Sequence, residues 1–481
     1  MKKQKVSVAL SILLFSGAMA AQFPAYAQQS PQSVAQAAPQ PDEQPLSRHT
    51  ETVPDSPPNT EADAPVSNQA KSKGFIEDSH LNLLFRSFAE HDTFNTVKKK
   101  DAWVLGAQAV FESGYTKGLI GLGGDISLFG ALKLNGGRSG AVGSNNNQVH
   151  VATDGGGYNQ LAWAYPGVWD VKARVSNTVV KYGQQLFDDP FLSPHDNRAL
   201  PPTYRGWSLV SNEIKDLTLK GGTVDGVLAR GMTTVTGLTT EYGGTHVSQF
   251  SYFGGDWTRG DDTAVSLYGS VANNVWQQYY LTATQSIGDP KAIRWTGSLN
   301  YYYTGAIGDK RQGAINNNAY SLALAGTHGA HTLQFAFQQI VSDQTFDYMG
   351  QSAGDFLSNS LDVDYNQPHE KSVSLSYSLN LKNYGVPGAK VTMWSAYGWG
   401  ADGSNMAYGG SAQAGNYLVN GQALHGSHYE LGIIPSYTIP EGKFKNTSIK
   451  FYYMYHHGST YYPDTTSNVY RLMVNVPVNV F

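Results

Sequence analysis

The chain has 481 residues, no cysteine, a formal net charge of -4, and 15% charged against 12% aromatic residues. The near-neutral balance argues against nucleic acid as a general partner. No apolar run of about 20 residues follows the first stretch, which excludes helical membrane spans and leaves two or three soluble domains or one large barrel.

Lys2, Lys3 and Lys5 precede the apolar run VSVALSILLFSGAMA, and Ala25 and Ala27 bracket Tyr26. A basic n-region, a short h-region and an A-x-A site predict a cleaved signal peptide over 1–27. Export suits a chain without cysteine, although many cytosolic chains also lack it. Residues 28–73 are rich in Pro, Gln, Ser and Ala and hold no Phe, Tyr or Trp. Such a segment buries too little surface to offset its chain entropy, which predicts a disordered periplasmic tether.

From 74 to 481 the texture changes to short alternating strands between turn residues. SHLNLLFRSF sets Leu81, Leu83 and Phe85 against His80, Asn82 and Arg86, and AWVLGAQAVFES and LIGLGGDISLFGALKL follow. These segments supply the roughly 9 to 11 residues a tilted strand needs to cross a bilayer. In DVKARVS, Val171, Ala173 and Val175 share one face, and Asp170, Lys172, Arg174 and Ser176 the other. That segment alone fits a soluble sandwich equally well.

The connections separate the two. Turns near 113–117 and at 176–177, 288–291, 327–331, 383–388 and 440–444 are short. Stretches near 135–166, 188–203, 306–318, 341–370, 401–426 and 457–466 are long. A sandwich has no reason to keep its long loops at one end, whereas outer-membrane barrels have short periplasmic turns and long extracellular loops. The prediction is an all-β, transmembrane antiparallel barrel of about 18 strands over 74–481, with one pore per chain.

In VYRLMVNVPVNVF, Tyr470, Leu472, Val474, Val476, Val478 and Val480 form the outer face, and Arg471, Asn475 and Asn479 face in. Pro477 lacks a ladder donor, and Phe481 is out of phase, so an irregular or frayed end is expected. Trp276, Tyr279, Tyr301, Tyr302, Tyr303, Tyr452, Tyr453 and Tyr455 are candidates for interfacial girdles.

On a barrel, energy fixes which face is which. A Lys or Arg on the lipid face at the midplane costs about 2 to 4 kcal/mol, so Lys172, Arg174 and Lys181 are expected to line adjacent inner walls. A ladder of cations selects anionic groups. The competing reading is that these charges only balance neighbours such as Asp170. The loop after Gln185 carries Asp188, Asp189, His195, Asp196 and Arg198, then Pro201 and Pro202. Folded inward, it would make the constriction. The 341–370 insertion adds Asp343, Asp347, Asp355, Asp362, Asp364 and Glu370, an acidic wall facing the basic one, or else a solvated acidic loop or a cation-binding surface.

GFIEDSHLNLLFRSF, FESGYTKGLIGLGGD, VKARVSNTVVKYG, PPTYRGWSLVSNEI, DYNQPHEKS and YRLMVNVPVNVF occur in that order. Together they resemble the OprD family of substrate-specific outer-membrane porins over essentially all of 74–481. The resemblance implies an 18-stranded barrel in which a basic ladder leads carboxylate-bearing solutes through an eyelet made by two inward-folded loops. By motif, Lys172, Arg174 and Lys181 are ladder positions, and the 188–203 and 341–370 loops are the eyelet. VTMWSAYGWG lacks the arginine usual in later family strands, and IKFYYMY has Tyr452, with Lys450 keeping one positive charge. The ladder is thinned there, which makes small or aromatic carboxylates as plausible as basic amino acids.

A surface-binding barrel or an outer-membrane hydrolase are the alternatives. The 13 histidines are scattered without a nucleophile at recognisable spacing, so no catalytic residue, cofactor or metal is expected. Expected partners are outer-membrane lipid and lipopolysaccharide, small solutes, and the outer-membrane assembly machinery through the strand ending at Phe481.

Overall fold

The computed structural model describes residues 67–95, 99–135, 161–230, 232–289, 291–352, 356–406 and 418–481. The predicted leader, most of the tether, Asp355 and residues 136–160 of the long third connection lie outside them.

In chain order the strands are β1 His80–Phe94, β2 Lys99–Glu112, β3 Ile120–Asn135, β4 Leu161–Val175, β5 Thr178–Gln185, β6 Thr203–Ile214 and β7 Leu217–Leu228. A two-residue ladder, β8 Leu238–Thr239 with β9 His246–Val247, precedes β10 Phe250–Arg259, β11 Thr263–Ala272, β12 Trp276–Ile287, β13 Arg294–Ala306, β14 Asn316–His328 and β15 His331–Val341. Then come β16 Lys371–Asn380, β17 Ala389–Asp402, a second small ladder of β18 Leu418–Val419 with β19 Gln422–Ala423, β20 His425–Thr438, β21 Ser448–Gly458 and β22 Ser467–Asn479. Setting aside the two small ladders, 18 strands form one sheet. Strand β1 pairs antiparallel with both β2 and β22. The sheet therefore closes on itself and leaves no edge.

Side-chain alternation decides the two faces. On β4, Lys172 is 3% exposed and Val171 63%. On β1, Asn82, Arg86, Phe88 and Glu90 are buried in phase. The inner face carries the charge and the outer one the aliphatic band, as the cost of charge in lipid requires.

Four local expectations are revised. Strand β22 runs through Pro477 to Asn479 with an unbroken register against β1. The chain end is paired too, since Val480 N donates to Leu81 O at 2.9 Å and Leu81 N to Phe481 O at 3.3 Å. On the other side the β21 pairing stops at Asn475, so the missing Pro477 N–H breaks no ladder bond there. The girdle candidates split: Trp276, Tyr302 and Tyr452 are buried on the inner face, whereas Tyr279 is 49% exposed. Tyr303 stacks on Tyr279, and Tyr453 packs against Tyr470. Strand β4 begins at Leu161, before Pro166, which sits at a register irregularity against β3 where a missing donor is tolerated.

The alternation of connections is also imperfect. At the long-loop end, 95–98 and 273–275 are short. Asn274, with φ 61, supplies the left-handed residue for the second of these. Conversely, 229–249 is long and holds the β8–β9 ladder.

Residues 67–73, placed in the tether by composition, lie against the short-turn end. Asn68 N donates to Asn177 Oδ1 at 2.7 Å and Gln69 N to Ser176 O at 3.1 Å.

Candidate functional site

The β4–β5 hairpin pairs Lys172 directly with Lys181. Two ammonium groups on one inner wall need an acid, and β3 supplies Asp125 opposite Asp170. Its two oxygens lie 2.7 Å from Lys172 Nζ and 3.0 Å from Lys181 Nζ. The second contact is a hydrogen bond; the first is an ion pair by distance without hydrogen-bond alignment. Arg174 donates from Nε to Gln69 Oε1 at 3.0 Å and lies over the Tyr115 ring at 4.0 Å. The three predicted cations share one wall, and the carboxylate between the two lysines is Asp125 rather than Asp170. Replacing Asp125 with Asn should move the reversal potential in a KCl gradient toward that of chloride. An unchanged potential would mean that this wall does not act on permeating ions.

Loop 186–202 folds into the bore and is held at both walls. Phe191 makes edge contacts with Phe250, Tyr268 and Tyr302 at 6.1, 6.5 and 6.5 Å. On the opposite wall Arg86 donates to both oxygens of Asp196, at 2.5 and 2.9 Å, and to Arg198 O at 2.7 Å. Gly106 on β2 lets the loop lie flat there, because a Cβ would meet Ala199 O at 2.3 Å.

The predicted loop acids take different positions. Asp188 is exposed beside Lys220 at 3.4 Å. Asp189 is buried and accepts from Phe191 N and Leu192 N at 2.9 and 3.0 Å, a local turn clamp. Burial pushes its carboxyl up to about 6. Asp343 is exposed and paired with His369 at 2.8 Å. Asp347 is buried and accepts from Tyr242 N, Gly243 N, Tyr348 N and Gln312 Nε2 at 2.7 to 2.9 Å. It is a fastener between loops. Asp364 takes the hydroxyls of Tyr242 and Tyr348 at 2.6 and 2.7 Å. Of Asp343 and Asp347, the first is solvated and the second is used up between loops.

The 229–249 loop, not singled out from sequence, joins the other two. Thr240 bridges Met349, and Pro194 bridges Ser352. Arg230 donates to Asn197 Oδ1 at 2.5 Å and to Gln351 Oε1 at 3.0 Å. Burial and the neighbouring Arg198 lower its guanidinium to about 10, so it stays charged.

Between these loops and the β1, β21 and β22 walls lies a cationic group comprising Arg86, Arg198, Arg230, Lys450 and Arg471. Arg198 Nε is 3.7 Å from Glu90 Oε2. Lys450 shares the inward phase of Tyr452 and acts electrostatically on Asp196. Arg471 is fully buried, 5.7 Å from the Phe88 ring and 5.1 Å from the Tyr452 ring. None of its three side-chain nitrogens has a hydrogen-bond partner among the described residues. Nearby, Glu430 on β20 accepts from Trp394 Nε1 at 2.5 Å and from Asp362 N and Val363 N at 3.3 and 3.1 Å. Asp362 Oδ1 is buried with no hydrogen-bond partner among the described residues. Sequence reading placed Arg471 inward but gave it no role; its signal was the phase it shares with Asn475. Arg86 carried the same signal on β1.

A family model described as outer membrane porin, OprD family, matches residues 73–480. Porin D of Pseudomonas aeruginosa is 33% identical over 436 residues, covering 87% of this chain and 95% of that protein. The porin-like protein GalP of Pseudomonas putida is 26% identical over 403 residues, covering 80% of this chain and 88% of that one. The crystal structure of P. aeruginosa OccD3 (OpdP) superposes with a TM-score of 0.76 at 31% identity, covering 94% of this chain and all of the other. With a closed 18-stranded barrel, inward-folded loops and a match across the whole barrel, the chain belongs to the OprD family of outer-membrane porins.

Proposed function

We propose that this substrate-specific channel of the Gram-negative outer membrane admits small carboxylates, aromatic acids and amino acids among them, through an eyelet formed by loops 186–202, 229–249 and 342–370. Arg471 is the observation that carries the reading. A buried guanidinium whose donors are unclaimed by described residues, set between two rings, suits a planar carboxylate that accepts two parallel hydrogen bonds. Arg198, Arg230 and Lys450 add positive potential around it, and Lys172, Arg174 and Lys181 continue that potential toward the short-turn end. Asp196 and Asp347 hold the loops in place. A binding-only barrel would have less use for cations along the bore, and passive transport requires no catalytic set. The strand ending at Phe481 is the proposed contact for the assembly machinery, and the outer aliphatic band that for lipid.

The test is single-channel current in a planar bilayer with benzoate or benzamide added. The reading expects concentration-dependent block by benzoate and none by benzamide. Equal block by both would remove the carboxylate from the account.

A further inference from the structure

Away from the arginine group, loop 342–370 is rooted on the barrel wall by a buried chain of polar groups. His456 Nδ1 lies 3.1 Å from Thr465 O, His456 Nε2 lies 2.9 Å from His428 Nδ1, and His428 Nε2 lies 2.8 Å from Glu370 Oε1. The last approach is close but off the axis of the ring nitrogen. Tyr462 donates its hydroxyl to both Glu370 oxygens at 3.2 Å. The His428 ring is sandwiched between Tyr365 and Tyr462, with centroids at 4.1 and 4.0 Å. Gly398 on β17 makes room, because a Cβ there would meet Glu370 Oε1 at 2.5 Å and His428 Nε2 at 2.6 Å.

Proton counting constrains this chain. A carbonyl only accepts, so His456 Nδ1 must carry a hydrogen to satisfy Thr465 O. If His456 is neutral, its Nε2 accepts, and His428 must donate from Nδ1. A neutral His428 then turns a lone pair toward Glu370. At 2.8 Å the approach of His428 Nε2 to Glu370 Oε1 avoids opposed lone pairs only with one proton beyond two neutral imidazoles and a carboxylate, whether it rests on Glu370, His428 or His456. Without it, one contact sets two lone pairs against each other in a site closed to water, at a cost of about 1–3 kcal/mol.

We propose that this shared proton is a lock on the constriction loop, and that its loss at alkaline pH frees the root of loop 342–370 and makes the channel gate. The link to the constriction is short. His428 and Glu430 lie two residues apart on β20, and Glu430 holds Asp362 N and Val363 N. The groups around Glu370 are Asp364 and Tyr365 of its own loop, Tyr462 and Asp464 of loop 459–466, Tyr242 of loop 229–249, His428 on β20 and His456 on β21. Burial lifts the Glu370 carboxyl to about 8, with Asp364 adding to the rise. A carboxyl raised in the folded state contributes in full below its free value of 4.5, and the contribution weakens as pH rises and is gone once pH passes about 8. The transition is therefore expected near pH 8.

The experiment is single-channel recording of the full-length porin across pH 6 to 10. Wild-type current fluctuations should rise through a single transition. Glu370→Gln keeps the shape and donates permanently to His428, so its fluctuations should stay at the low-pH level throughout. Tyr462→Phe removes a donor that favours the charged carboxylate, so its midpoint should move to higher pH. A flat wild-type profile, a Glu370→Gln profile that still follows wild type, or an unmoved Tyr462→Phe midpoint would each overturn the lock. The last variant keeps the test valid should Glu370→Gln fail to assemble.

Discussion

Arg471→Gln is expected to weaken block by a small carboxylate about ten- to hundredfold, the factor that corresponds to losing hydrogen bonds to a charged group worth about 1.5–3 kcal/mol. The substitution keeps most of the stem that packs near Phe88 and Tyr452 but removes the charge and the fork. Baseline conductance should change less than block, because the side chain is shortened and not replaced by bulk. The measurement is the half-blocking concentration of benzoate in single-channel records, with benzamide as the neutral reference. A variant that blocks like wild type would show that Arg471 does not meet the solute. The carboxylate site would then have to be sought at Arg198 and Arg230.

Asp196→Ala should have the second largest effect. The Arg86–Asp196 pair is buried on both sides and joins loop 186–202 to β1 by two hydrogen bonds. Removing one partner of such a pair costs about 3–5 kcal/mol, mostly from the charge left behind. The sheet does not depend on this contact, so the far-UV spectrum should hold while the loop loosens and open-channel noise rises. Removing Arg86 as well should recover part of the loss, since no charge is then stranded. Noise in the double variant as high as in the single one would show that the loop is held elsewhere, with Phe191 and its ring contacts the next candidate.

Much of this architecture is legible in the chain. The period-2 alternation in DVKARVS and YRLMVNVPVNVF places Lys172, Arg174 and Arg471 on the inner face, and alternating connection lengths set apart the two ends of the barrel. The sites where reading fails share a physical cause, which is that they are made by register or by backbone contacts. Asp125 looks ordinary in GLGGDISLFG; only the pairing of β3 with β4 and of β4 with β5 brings it between two lysines. Asp347 reads as one more acid in an acidic loop, yet it is consumed by three backbone N–H groups and a glutamine. Loop 229–249 offers no period, and it joins loop 342–370 largely through backbone bonds such as Glu241 N to Tyr348 O at 2.9 Å. The relay from Glu370 to His456 draws on two strands and the root of a loop, so no spacing along the chain announces it.

Solute flux tests the central claim most directly. Liposomes carrying the purified porin should swell faster in an isosmotic solution of a small carboxylate salt than in its uncharged amide, relative to protein-free controls. Arg471→Gln should bring the two rates together. Equal rates in the wild type, or faster entry of the amide, would contradict a channel built around carboxylate recognition.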